Sequence, residues 1–218
     1  MVFYHEPRGF GPGPADNLIY VGRDKFENED LIKYGLPHDV WFHVDDLSSA
    51  HVYLRLPPSS SFESIPADIL EDCAQLVKAN SIQGNKLNNI TVVYTPWANL
   101  KKTQSMDVGQ VSFKDNKQVK KVAVPKRINE IVNRLNKSKR EEYPDLAGQR
   151  EAYDQGIRLQ KKTEVQEQRR SEKAAKDEAK RQQEARSYQH LMQDDAMVSS
   201  QDMASKYQSN KAFEDDFM

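Results

Sequence analysis

The branched aliphatic and aromatic residues of this chain are spread unevenly, and that most restricts what it can fold into. Between Pro144 and Arg186 the only branched aliphatic or aromatic residues are Leu146, Tyr153, Ile157, Leu159 and Val165, in a run otherwise of polar residues, alanine and glycine. Folding is driven by apolar surface leaving water, so one core is expected from the earlier part of the 218 residues and the remainder should stay solvated.

Within the apolar part the periodicity switches between two and about 3.6. Residues 18–22 read as a strand after the glycine- and proline-rich loop 9–14. Residues 28–35 predict a short helix with Asn28 as N-cap and Gly35 as stop. Residues 40–45 and 51–56 read as paired strands joined by a polar elbow. Alternation puts Val40, Phe42 and Val44 on one face, expected to be buried, and Trp41, His43 and Asp45 on the other, expected to carry chemistry. After a loop at 57–61, residues 65–81 form an amphipathic helix whose stripe is Ile69, Leu70, Cys73, Leu76 and Val77. Residues 90–95 read as a strand, and 108–113 with 119–124 as a hairpin around the turn 114–117.

The expected fold class is α+β: a single small mixed-sheet domain over 1–124 with two packed helices. A long basic helix over 125–186, broken near Pro144, and an acidic tail over 187–218, disordered when alone, are expected to follow. Within 125–186, Asp154 to Arg158, Glu172 to Lys176 and Asp177 to Arg181 have the acid-before-base spacing that supports a solvated helix, and no sustained heptad seam is present.

The overall charge of −1 hides segregation: residues 1–116 sum to −5, 117–186 to +8 and 187–218 to −4. A basic middle between acidic ends suits a segment that meets a polyanion, although a solvated Lys- and Glu-rich helix shows the same pattern. The one cysteine, Cys73, excludes an internal disulfide and fits a reducing compartment, cytoplasmic with the nucleus as a second setting. The first eight residues lack the apolar core of a signal peptide, and no apolar run reaches membrane-spanning length.

Three kinds of side chain carry possible chemistry. His43, Asp45, Asp46 and His51 have types that bind metals or transfer protons. The alternatives are that the histidines pin the elbow, with Ser48 and Ser49 satisfying turn amides, or that they touch nucleic acid. Trp41, Tyr53, Tyr94 and Trp97 offer faces for unstacked bases or for packing, while Arg23, Lys25, Arg55, Lys101 and Lys102 offer charge for phosphates. The Lys101-Lys102 pair beside Trp97 is the strongest of these constellations. Further along, Lys137, Lys139, Arg140, Lys161, Lys162, Arg169 and Arg170 form basic clusters that could follow a phosphate backbone without reading sequence. No cofactor or metal requirement and no catalytic residue is expected.

The succession Gly22-Arg-Asp-Lys-Phe-Glu-Asn-Glu-Asp-Leu, Asp39-Val-Trp-Phe-His-Val, Ser49-Ala-His-Val-Tyr-Leu-Arg, Val92-Val-Tyr-Thr, Leu100-Lys-Lys and Asp107-Val-Gly-Gln-Val resembles the NFACT-R domain over residues 17–125. It departs from the family's frequent Gly-Ser before the second histidine, having Ser49-Ala50. The resemblance implies association with RNA, tRNA or the ribosome in translation quality control, without the tail-synthesis activity of larger family members. DNA binding through the same basic surface, or a protein-interaction scaffold using the long helix and the acidic tail, are the alternative functions. A metal-assisted phosphodiesterase using His43, Asp45 and His51 is a further one.

Overall fold

The computed structural model describes residues 1–9, 17–57 and 60–187, so the glycine-rich loop expected at 9–14, apart from Gly9, and nearly all of the acidic tail lie outside the described residues. The chain divides into two compact units, residues 1–156 and 157–218.

The first unit holds an α+β domain, as expected. Its elements run β1 (Val2–His5), β2 (Leu18–Gly22), α1 (Lys25–Tyr34), β3 (Asp39–Val44), β4 (Val52–Arg55), α2 (Ala67–Ala79), β5 (Ile90–Pro96), β6 (Leu100–Lys101), β7 (Ser112–Phe113), β8 (Lys120–Val124), α3 (Asn129–Lys137) and β9 (Arg140–Glu142), and α4 (Leu146–Arg186) begins in it. Seven strands make one sheet in the order β8-β5-β3-β4-β2-β1-β9, while β6 and β7 make a separate ribbon. Every pairing is antiparallel.

Both faces of the sheet are covered, because the period-two alternation divides each strand between two apolar clusters. Ile19 and Val21, Val40, Phe42 and Val44, and Val52 and Leu54 pack with α2 and α3, which contribute Ile69, Cys73, Leu76, Val77, Ile131 and Leu135. Tyr20, Trp41 and Tyr53 point the other way and join Val2, Tyr4, Val93, Leu100 and Leu31 of α1. The face expected to carry chemistry is therefore largely a second core.

Four local expectations differ from the structure. The first helix begins one turn early, because Asp24 rather than Asn28 caps it, its carboxylate accepting from the amides of Phe26 and Glu27 at 2.9 and 3.0 Å. The hairpin over 108–124 is absent. Its second half, β8, instead extends the sheet beside β5 (Val92 opposite Val122), while β7 pairs with β6 (Leu100 opposite Phe113). The amide of Asn99 holds this crossing, donating to Thr95 Oγ1 at 2.9 Å and to the Asp115 carbonyl at 2.8 Å.

Residues 125–186 are not one interrupted helix. α3 packs on the domain, β9 lengthens the sheet edge against β1 with Val2 opposite Glu142, and only α4 continues past Pro144. β9 carries no apolar alternation. Its neighbour Lys139 lies 3.6 Å from the Phe3 ring centroid, and Arg140 meets Glu6 at 3.5 Å. Within α4 the ion pairs among the described residues run Arg150 to Asp154 and Lys180 to Glu184, not the acid-before-base pairs expected.

The second unit, as far as it is described, is the remainder of α4, and no residue of that helix is buried. Its composition of strong helix formers and exposed Gln–Glu contacts four apart, such as Gln168 with Glu172 at 3.1 Å, account for the helix without a packing face.

Candidate nucleic-acid interface

The turn from β2 into α1 and the elbow between β3 and β4 line one cleft of about 390 Å³. It brings together Arg23, Lys25, His43 and His51, with Asp24, Ser48, Ser49 and Gly109. The two strand ends and the helix start meet here because β4 pairs with both β2 and β3. Asp46 turns the elbow in the left-handed region at φ 59°, which a short polar side chain tolerates. Ser49 Oγ accepts from the Val44 amide at 3.1 Å, and the Ser48 carbonyl accepts from Ser81 Oγ at 2.7 Å.

The histidines enter this cleft as neutral groups. Burial, followed by the neighbouring His43, lowers the His51 pKa to about 3. Burial also lowers that of His43, whose ring lies parallel to the Trp41 indole with centroids 5.4 Å apart and whose Nδ1 meets the Val44 carbonyl at 2.7 Å. His51 Nδ1 and Trp41 Nε1 are buried without a partner. The exposed charges of the cleft are Arg23, Asp24 and Lys25. Asp24 is held ionised by the amides of Glu27 and Phe26 that it accepts, so those amides are not available to an anion.

The third wall is the segment 102–110, fastened to α1 by Glu29. Its carboxylate accepts from Lys102 Nζ at 2.7 Å and from the Gly109 amide at 2.6 Å, and Lys102 also donates to the carbonyls of Asp107 and Gln110. Lys102 thus holds a loop in place instead of presenting charge. Lys101, on β6, is exposed. Gly109 itself sits at φ +85°, where any other residue is strained.

Several expected contacts are occupied otherwise. Arg55 grips the buried Asp39 with two bonds, Nε at 2.9 Å and an Nη at 3.2 Å, and stacks on Tyr20. Trp41 and Tyr53 are core residues, and Tyr94 lies against Phe42 and Phe62. Trp97 donates from Nε1 to the Ile32 carbonyl at 2.9 Å, and the Arg150 guanidinium lies over its ring, so the indole ties the end of α1 to the start of α4.

That packing explains Gly35, which is extended and needs no special φ. A Cβ there would overlap the Trp97 indole. Gly35→Ala is expected to destabilise the first unit by about 1–3 kcal/mol through overpacking, read as a lower urea midpoint with an unchanged slope.

Lys137 ends α3, and Lys139 and Arg140 lie beside or in β9, apart from the residues that line the cleft. Lys161, Lys162, Arg169 and Arg170 are exposed on α4 in the second unit. Asp45 pairs with Lys121 at 2.6 Å, and no group of three or more His, Cys, Asp or Glu that could hold a metal occurs among the described residues. No described helix is long and apolar enough to cross a membrane.

One residue overlooked in the sequence is Phe26, in the first turn of α1 and 65% exposed. The signal for it was the Asp24-x-x-Glu27 spacing of a capping box, which moves the helix start and turns Phe26 away from the buried stripe of Asn28, Leu31 and Ile32.

The family model of the NFACT protein RNA binding domain matches residues 1–115, a range that holds the β2–α1 turn and the β3–β4 elbow, and the chain belongs to that family. Among curated proteins it is similar to Coiled-coil domain-containing protein 25 of Mus musculus, 58% identical over 202 residues that cover 93% of this chain and 96% of that protein. The protein of the same name in Danio rerio is 61% identical over 154 residues, 71% of this chain and 73% of that one. A Dictyostelium discoideum homolog is 54% identical over 141 residues, 65% and 68% of the two chains.

Proposed function

We propose that this chain is a non-catalytic RNA-binding protein that docks on tRNA or ribosomal RNA through the cleft of Arg23, Lys25, His43 and His51. The exposed basic doublets of α4 add sequence-independent phosphate contacts. The convergence of two exposed cations and two neutral histidines on one cleft, in a domain of an RNA-binding family, carries this reading. Cations neutralise phosphates and fix register, whereas the neutral imidazole of partly buried His43, which adds no charge, is suited to hydrogen bonding a base, with the buried His51 ring packed edge-on behind it.

Titrating tRNA and purified ribosomes with the full chain tests it. The double charge reversal Arg23→Glu with Lys25→Glu should lower affinity at least about tenfold and flatten the dependence of log K on log salt by about 1.4, the loss of two single-strand phosphate contacts. Lys102→Met, which frees the loop wall, should chiefly lower stability. Unchanged binding after the double reversal, or duplex DNA that displaces RNA at equal concentration, would overturn the reading.

A further inference from the structure

We propose that the first unit selects an unpaired nucleotide. The base stacks on Phe26 in the cleft that Phe26, Met106 and Val108 line, and the phosphate lies between Arg23 and Lys25 in the adjoining cleft. This rests on the RNA-binding reading above, and adds the form of the strand and the side chain that recognises it.

The observation is an aromatic ring left largely outside both apolar cores. Phe26 is 65% exposed and Val108 is 45% exposed, although an apolar core lies beneath the same helix. Together with Met106, Thr103 and Gln104 they line a cleft of about 420 Å³, ample for one base. Its two ionised wall residues, Glu29 and Lys102, neutralise each other at 2.7 Å, so the cleft offers an apolar floor without net charge from those two. Gln104 is exposed at its rim and carries both an amide donor and a carbonyl acceptor, the pair that meets the polar edge of a base.

The charge stands next door. Val108 lines both clefts, and Lys25 Nζ lies 5.3 Å from the centroid of the Phe26 ring. A phosphate held by Lys25 and Arg23 therefore places its own base beside Phe26. A base within a duplex is stacked on its neighbours and cannot reach the ring, so only the phosphate part of this site would act on a double strand. The basic doublets of α4, being sequence-independent phosphate contacts, would follow either form of nucleic acid.

The experiment compares a short single-stranded oligoribonucleotide with the same strand annealed to its complement, using the full chain. The wild-type chain should prefer the single strand. Phe26→Ala should lower single-strand affinity about 5- to 140-fold, the range expected for losing one stacked base, and leave duplex affinity unchanged. Phe26→Trp should keep the affinity and show quenching of the new indole on binding. Ile82→Ala, at another exposed apolar position, is the control for surface truncation. Equal affinity of Phe26→Ala and wild type for the single strand overturns the proposal, as does an unquenched indole at full occupancy. A wild-type chain that binds neither RNA form overturns the RNA-binding reading itself and is distinguishable from both.

Discussion

Arg55→Leu is expected to cost the first unit about 3–5 kcal/mol, the range for removing one partner of a buried ion pair, without weakening RNA binding by the molecules that remain folded. The Asp39 carboxylate is fully buried and accepts from the Tyr20 hydroxyl at 2.7 Å, the Leu36 amide at 2.8 Å and the Arg55 guanidinium. Burial opposes charge on Arg55, yet the hydrogen bonds and charge of Asp39 outweigh it and raise the Arg55 pKa. Leucine would leave an anion in the interior with two neutral donors. Urea unfolding of Arg55→Leu, of Asp39→Asn and of the double variant checks this. The double variant should lose less than the sum, because each single change leaves a group that the second removes. A drop in affinity with undiminished stability would mean that Arg55 meets phosphate after all.

The first unit should lose stability as pH drops below about 6.5, before most of its carboxylates are protonated. His5, His43 and His51 are each lowered below the ordinary 6.5, in every case first by burial. A base with a depressed folded-state pKa resists protonation when folded and accepts it when unfolded. Stability is therefore complete above pH 6.5 and declines as pH falls from there toward the folded value, about 3 for His51. At about pH 4.5 the contribution of His51 alone comes to a loss of about 2.7 kcal/mol. Denaturant midpoints between about pH 7.5 and pH 5 measure it. His51→Gln, which cannot be charged, should flatten that dependence even if its stability at neutral pH is lower. An identical slope in wild type and variant would show that His51 is not the group responsible.

How much of this was legible residue by residue depended on whether the relevant contact was local. The α2 stripe from Ile69 to Val77, the β3 and β4 strands, and the cleft residues Arg23, Lys25, His43 and His51 are visible because spacing and side-chain type report them. Asp24 is legible too, because its three-residue spacing to Glu27 marks a helix start ahead of Asn28. The pinning of Lys102 by Glu29 and the grip of Arg55 on Asp39 join residues 73 and 16 positions apart, and a lysine or arginine in sequence looks the same whether it faces solvent or a buried carboxylate. β9 was illegible for a different reason: an edge strand held by backbone bonds and two ion contacts needs no apolar alternation.

Taken by itself, the amino-acid order determined that the apolar packing would lie ahead of Pro144 and that a solvated basic helix would follow. Apolar content and periodicity are properties of the covalent sequence, and burial follows from them. Only the tertiary structure decided which cations are free. Charge is partitioned between salt bridges and solvent by partners far apart in sequence, so Arg23 and Lys25 stay exposed while Arg55 and Lys102 are consumed in holding the fold.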